Sequence, residues 1–251
     1  MAPKLFSVWE GVYESFAEAG GDFDAWESDI WLNKQISRTY EALEAYTTDT
    51  FFSKDYPLPM VVSMALIQKS SLSVLDFGGG MGVQYLETIG KVPEAKEKMH
   101  YYVVDGLKSI AGRPRALDQF NNLHFFDNLK EVPSSIDIIH IGSTLQYIET
   151  WQDFLTGLND KFKPQYLVFS DLLAGDIPTF VSHQLFYEKR IPHLFLNWPF
   201  FKKFVDDMGF SLIFSSQFIH KILNQEDVMP NFSLPEAYRI DRGRHAVFVA
   251  Q

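Results

Sequence analysis

Cysteine is absent from all 251 residues, so a disulfide framework, a thiolate nucleophile and a cysteine-ligated zinc site are excluded. Any base titrating near neutrality must come from the seven histidines. Long apolar runs are also missing. Stretches such as Met60-Val61-Val62 and Ile138-Ile139 fall far short of the roughly 18 residues that suggest a membrane span. Positive charge is in deficit, with 22 Lys and Arg against 32 Asp and Glu, and a net charge of −10 speaks against a general binder of nucleic-acid backbone. No secretory pattern opens the chain, because Glu10, Glu14 and Glu18 interrupt the apolar positions and no small-residue cleavage site follows. Cytoplasmic residence is therefore expected. No internal repeat or low-complexity run is present.

What the chain does have is core-forming material, at 46% hydrophobic and 16% aromatic residues, enough for one large domain or a domain with an appendage. Its most informative stretch is Val74-Leu75-Asp76-Phe77-Gly78-Gly79-Gly80-Met81-Gly82. A short apolar strand ends in a carboxylate and runs into glycines at every second position, where the backbone turns sharply and a ligand approaches without meeting a Cβ. A dinucleotide site wants G-x-G-x-x-G with a small third residue, but here that position is Val83. The acidic Asp76 would also repel a pyrophosphate and hold an ammonium group. A cationic nucleoside bearing an amino acid fits better.

With its D-x-G-x-G-x-G turn the chain resembles the class I S-adenosylmethionine-dependent methyltransferases; the plainer alternative is an ordinary strand-to-helix turn. By that resemblance the turn lines the methionine part of the cofactor. A second apolar run, Tyr101-Tyr102-Val103-Val104, ends in Asp105, 23 positions beyond Gly82, where an acidic side chain would accept both ribose hydroxyl protons. Asp105-Gly106 is otherwise a plain turn dipeptide. After the third strand the resemblance places Asp127-Asn128 against the adenine, an Asp-Asn turn being the plainer account. The cofactor-binding candidates are thus Asp76, Gly78, Gly79, Gly80, Gly82, Asp105, Gly106, Asp127, Asn128 and Ser143, with S-adenosyl-L-methionine as the cofactor.

The expected fold class is α/β: a seven-stranded, mostly parallel sheet with helices on both faces, a Rossmann-like methyltransferase fold, plus an N-terminal helical cap. Strands are predicted near 73–77, 100–104, 123–126, 136–141, 166–170, 210–215 and 245–250, with helices starting near Gly80, Ser109, Thr144 or Thr150, and Pro199. Leu5, Val8, Trp9, Val12, Tyr13 and Phe16 predict an amphipathic helix ended by Gly20-Gly21. Leu32, Ile36, Tyr40, Leu43 and Tyr46 predict a second, and a third occupies residues 60–69 after Tyr56-Pro57-Leu58-Pro59. Residues 1–70 form the cap and 71–251 the core. A stretch of aromatics and basic residues near 171–198 is too long for a simple connection and is expected as a substrate lid, or as a short helix buried against the N-terminal helices.

Methyl transfer is an in-line displacement at an activated carbon, so the protein mainly supplies alignment. An alcohol acceptor would also benefit from a positioned base, most often histidine. His183 in the lid is the first candidate catalytic residue and His193 the second. Gln146, Tyr147, Tyr187 and His193 are candidate acceptor contacts. His140 is expected as a packed core histidine; His100, His124, His220 and His245 carry no signal. Catechol-type methyltransferases hold magnesium with carboxylates after strands four and five plus an asparagine. Here Asp171 follows strand five, but Gly142-Ser143 and Leu172 stand at the other two places, so no catalytic metal is expected. Lys189-Arg190, and Arg239 with Arg242 and Arg244, are candidates for an anion pocket, exposed solubilising charge being the plainer account.

Trp9-x-Gly11-x-Tyr13-x-x-Phe16, the glycine turn and Leu145-Gln146-Tyr147 together resemble a methyltransferase family associated with bacterial surface-polysaccharide biosynthesis. That resemblance implies a small-molecule acceptor, a hydroxyl of a sugar or related metabolite, and hence an O-methyltransferase with no nucleic-acid partner and no membrane span. The alternatives are a nicotinamide-dependent oxidoreductase and a non-catalytic cofactor-binding partner of another enzyme. Nothing in the sequence sets an oligomeric state.

Overall fold

The computed structural model describes residues 7–48, 56–186, 188–218, 221–222, 225–226 and 229–251. The chain begins with strand β1 (Trp9–Tyr13) and one helical turn, α1 (Phe16–Ala19), capped by the Ser15 hydroxyl, which accepts from the Glu18 amide. Ser28 caps α2 (Asp29–Thr47) by accepting from the Trp31 amide, and α3 (Leu58–Gln68) starts with a proline in its first turn.

Strand and helix then alternate: β2 (Leu72–Phe77), α4 (Val83–Lys91), α5 (Ala95–Lys98), β3 (Met99–Val104), α6 (Leu107–Gly112), β4 (Leu123–Phe126), β5 (Ile138–Gly142), α7 (Trp151–Phe162) and β6 (Tyr166–Leu172). Beyond them lie β7 (Ala174–Gly175), β8 (Phe180–Phe186), β9 (Lys189–Asn197), α8 (Trp198–Asp207), β10 (Phe210–Phe218), the two-residue strands β11 (Lys221–Ile222) and β12 (Gln225–Glu226), and β13 (Gly243–Ala250).

Seven strands form the main sheet in the order β10-β13-β6-β5-β2-β3-β4; the five from β6 to β4 are parallel, and β13 and β10 add antiparallel at one edge. Strand order reverses between β2 and β5. The crevice beyond their carboxyl ends is thus the topological switch point, the place where open α/β sheets bind ligands.

Successive residues of each strand feed opposite layers. Leu75, Ile139, Leu167 and Phe248 pack under α7 and α8, while Val74, Ile138, Val168 and Val247 pack under α3 and α4. The seven sequence-predicted strands therefore coincide with the seven observed, to within a few residues at their ends.

Two predicted elements are overturned. Residues 9–13 are a strand, not part of a helix, and β1 pairs antiparallel with β8. The cause is a bulge: register shifts between Glu10 and Tyr13, with Gly11 at φ +79°. The inserted residue turns Trp9 and Tyr13 to opposite faces, Trp9 against His193 and Tyr13 against His183, so apolar residues serve both faces and fall in adjacent pairs that read as a helical period. The 171–198 stretch, expected as a substrate lid or a short buried helix, is built of strands and not of a helix. Its centre is the hairpin β8–β9, which pairs with β1 on one side and β7 on the other as a second, four-stranded sheet. Both faces of that hairpin are buried, which erased the polar–apolar alternation that would have marked it.

Candidate cofactor and acceptor site

The glycine turn leaves β2 with Gly78, Gly80 and Gly82 all at positive φ, +70°, +59° and +81°. Its backbone is stitched to the sheet by the Gly78 amide, which donates to the Val104 carbonyl at 2.8 Å. A Cβ on Gly78 would lie 2.2 Å from Thr144 Oγ1, and one on Gly80 would lie 2.8 Å from Gln35 Nε2. Helix α2 therefore crosses over the turn, and only glycine permits both the dihedrals and the close approach.

Asp76 faces inward, against the expectation that it holds a ligand ammonium. It is 1% exposed; Oδ1 lies 2.7 Å from His140 Nδ1 and Oδ2 accepts from the Tyr101 hydroxyl at 2.8 Å. His140 Nε2 is in turn 2.9 Å from Ser170 Oγ. A neutral imidazole protonated at Nδ1 satisfies the whole row, with Ser170 donating to Nε2 and both remaining protons directed at the carboxylate. Burial, and then the Asp76 charge, hold the Tyr101 phenol well above its ordinary value. His140 is the packed core histidine expected, and the row braces the glycine turn from beneath.

Asp105 lies at the end of β3, half-buried, with Oδ2 accepting from the Gly80 amide at 2.8 Å and Oδ1 from the Gly106 amide at 2.7 Å. Burial raises its pKa, partly offset by those two amides and the Ser109 hydroxyl. Each carboxylate oxygen keeps accepting capacity beside the turn, as a ribose diol would require. Asp127 and Asn128 instead knit their own loop: Asn128 Nδ2 donates to Asp127 Oδ1 at 2.7 Å and to Glu131 Oε1 at 2.8 Å.

Across the switch point, the ends of β5 and β6 carry a group that sequence reasoning did not assemble. Ser143 and Asp171 have side chains yet sit at φ +52° and +54°, and Ser143 Oγ donates to Asp171 Oδ2 at 2.6 Å. Such backbone costs about 1–3 kcal/mol per residue and persists only where the surroundings enforce it. Tyr56 hydrogen-bonds with Ser143; since the single Ser143 proton goes to Asp171, the phenol is the donor. Burial, and then the Asp171 charge, raise the Tyr56 pKa. Gln146 Nε2 donates to the Asp171 carbonyl at 3.3 Å, and the Asp171 amide donates to His245 Nδ1 at 3.2 Å. The position of Asp171 at a strand end was the available signal; Tyr56, beside the Pro57 break, had none.

Tyr147 closes the other wall. Its ring lies 4.6 Å from Trp26 and 5.1 Å from His193 between centroids, Trp26 lies 4.8 Å from Trp31, and its hydroxyl donates to Gln184 Oε1 at 2.6 Å. Gln146, Tyr147 and His193 thus stand beside the switch point. His183 does not join them: its Nε2 donates to the Ala19 carbonyl at 3.0 Å and its ring packs 5.0 Å from Tyr13, on the opposite face of β8 from Gln184. Tyr187 and His220 lie outside the described residues. Lys189 pairs with Asp22 and Asp24, and Arg190 with Glu10, which neutralises that part of the expected anion pocket. Among the described residues no cluster of His, Asp or Glu could hold a metal ion, and no helix is long and apolar enough to cross a membrane.

The fold has counterparts among solved structures. The Burkholderia thailandensis 1,6-didemethyltoxoflavin-N1-methyltransferase, with S-adenosylhomocysteine bound, is 12% identical over 87% of this chain and 89% of its own, at a TM-score of 0.51. Magnesium protoporphyrin IX methyltransferase from Synechocystis PCC 6803, also with that product bound, is 15% identical over 94% of this chain and 96% of its own, at 0.50. A glycopeptide N-methyltransferase complexed with the same compound is 10% identical over 80% and 92%, at 0.52. At these identities the likeness is one of fold. No curated protein matches the sequence. Residues 55–227, well over half of the chain, match the family described as Methyltransferase domain, and the chain belongs to that family.

Proposed function

We propose that this methyltransferase transfers a methyl group to a hydroxyl oxygen of a small molecule of carbohydrate type. The methyl donor is S-adenosyl-L-methionine, which when bound supplies a methyl carbon activated by a sulfonium. The turn at Gly78, Gly80 and Gly82 runs close under Thr144 and Gln35 with no room for a Cβ at Gly78 or Gly80, and Asp105 beside it has acceptor capacity for two ribose hydroxyls. Asp127 and Asn128 would meet the adenine only by giving up their mutual bond. Residues 7–47 and the β8–β9 hairpin cover the crevice, with Trp26, Tyr147 and His193 excluding water from the acceptor's side.

The observation that carries the choice of oxygen is the strained Ser143–Asp171 pair. A hydroxyl needs a base far more than an amine does, and a carboxylate fixed by Ser143 at a strand end is placed to take that proton. In this reading Asp171 replaces His183 as the base, because His183 lies against Tyr13 and Ala19 on the face of β8 opposite Gln184 and Tyr147. Tyr56 and Ser143 hold the carboxylate in line, and Gln146 holds its backbone.

Calorimetry with S-adenosylhomocysteine tests the cofactor half. Asp105→Ala is expected to weaken binding roughly tenfold or more through two lost hydrogen bonds; unchanged affinity would remove that assignment. A radiolabelled-methyl assay over matched alcohols and amines tests the other half. Asp171→Asn is expected to lower kcat by roughly 100-fold or more while leaving product binding intact. Labelling confined to amines, or a rate indifferent to Asp171, would refute the oxygen assignment.

A further inference from the structure

Arg239, Arg242 and Arg244 line one cavity of about 260 Å³ together with Gly175, Asp176 and Asp241. It opens beside β7, which directly follows β6, the strand that carries Asp171 one residue before its end. Among the described residues the arginines that form ion pairs are Arg113 and Arg190. The three around this cavity do not, although two aspartates share its walls. Three guanidinium groups against two carboxylates leave the cavity net positive in a chain whose overall charge is −10.

Two of the three are also held in place. Arg239 donates through Nε to the Leu234 carbonyl at 2.6 Å and through Nη2 to the Phe232 carbonyl at 2.9 Å. Arg244 lies over Trp198, 4.3 Å from its ring centroid, with Nη1 donating to Ser215 Oγ at 3.2 Å. These contacts use part of each guanidinium and fix its plane, leaving further N–H donors in rigid forks. Arg242 is exposed and adds a third charge.

We infer that this arginine cavity is an oxyanion subsite for the methyl acceptor, taking a phosphate or carboxylate group of the small molecule methylated at the switch point. The inference rests on the methyltransferase reading above and narrows its acceptor to an acidic one. Fixed guanidinium forks match both oxyanions in geometry and charge. The volume lies below the usual range for a whole ligand, so it suits one ionic group with the rest of the acceptor outside. Its position matches as well. Arg242 and Arg244 flank Gly243, where a Cβ would lie 3.5 Å from Asp171 Oδ1. Gly175 lies four residues after Asp171, so an acceptor anchored here by its anion has its body within roughly 10–15 Å of the carboxylate.

The test compares glycerol 3-phosphate, glycerate and glycerol, which share hydroxyls and differ in the anion, on the full chain saturated with S-adenosylhomocysteine. The readout is the arginine Nε–Hε signals in ¹H–¹⁵N spectra. Both anions should shift the Arg239 and Arg244 signals saturably while glycerol leaves them still, and the relative size of the two responses tells phosphate from carboxylate preference. Arg242→Gln should weaken the response about tenfold for one lost charge-assisted contact. Binding of S-adenosylhomocysteine should not change in that variant. Equal responses to all three compounds, no response, or an Arg242→Gln titration matching the wild type would overturn the subsite. If S-adenosylhomocysteine itself fails to bind, the methyltransferase reading falls, whatever the arginine signals do.

Discussion

Adding one methyl group at Gly78 tests whether the turn's geometry is as demanding as its dihedrals imply. At φ +70° an alanine sits in the left-handed region, at a cost of about 1–2 kcal/mol. Its Cβ would also lie 2.2 Å from Thr144 Oγ1, 2.4 Å from Cγ2 and 2.8 Å from Cβ. That contact is with the branched root of a side chain, which has no flexible end to swing aside, so the loop after β5 must move. Moving it breaks the bond from Thr144 Oγ1 to the Gly142 carbonyl, 2.9 Å long and worth about 1 kcal/mol. Gly78→Ala should therefore lower unfolding free energy by about 2–3 kcal/mol in urea titrations. It should also weaken S-adenosylhomocysteine binding, since both sides of the switch point shift. Gly106→Ala is the matched control, because its φ is −60° and nothing lies within 4 Å of the added carbon. Adding Thr144→Ala to Gly78→Ala removes the two shortest contacts but not the third, so it should recover part of the loss. A Gly78→Ala protein as stable as Gly106→Ala would refute the account of the turn.

Asp137 takes the Lys69 ammonium, the Ser73 amide at 2.8 Å and the Ser73 hydroxyl at 2.9 Å. Burial pushes its pKa up, but Lys69 and Ser73 outweigh it, and the carboxyl lies below its ordinary 3.8. A lowered folded-state value stabilises above pH 3.8 and is lost as pH falls through that lowered value. Asp137→Asn should thus cost about 1 kcal/mol at neutral pH, discounted for partial exposure, with the gap closing in acid; a gap of constant size between neutral and acid urea titrations would refute this. Ser143→Gly relieves the strain at φ +52° and loses one hydroxyl bond, whereas Ser143→Ala keeps the strain and loses the same bond. The glycine variant should be the more stable by about 1 kcal/mol, and both should lose turnover; an alanine variant of equal or greater stability would show that the backbone there is unstrained.

Much of the frame was legible because its signals are local. The strands around Val74-Leu75, Ile138-Ile139 and Leu167-Val168 announce themselves as short apolar runs buried on both faces, and the glycines after Asp76 mark the turn. The orientation of a side chain is not local. Asp76 was expected to face a ligand, but its direction depends on Tyr101 and His140, which the sequence places 25 and 64 positions away. His183 has the right chemistry and lies on the wrong side of its strand, a matter of pleat and register that its neighbours' hydropathy did not reveal. The Ser143–Asp171 pair depends on backbone strain, to which residue identity gives no clue except at glycine.

The most consequential illegible feature is the second sheet, since it joins segments that read as separate pieces. β1 pairs with β8 across more than 170 positions, with Trp9 opposite Gln184 and Glu10 opposite His183. The join is reinforced around Arg190, whose carbonyl accepts from the Asp22 amide at 2.7 Å and whose guanidinium pairs with Glu10. A Cβ on Gly21 would lie 2.4 Å from that same carbonyl, so the chain passes there with no room to spare. The cover supplied by Trp26, Trp31 and α2 is therefore hung from the insertion after β6, and the wall at Tyr147 is hung from Gln184 in that insertion. Contacts of such separation carry a large loop-closure cost and form late. The glycine turn is tied to β2 and β3, but the wall at Tyr147 and the cover at Trp26 stand only once both chain segments have met, which makes the second sheet a condition for the proposed acceptor side rather than an ornament on it.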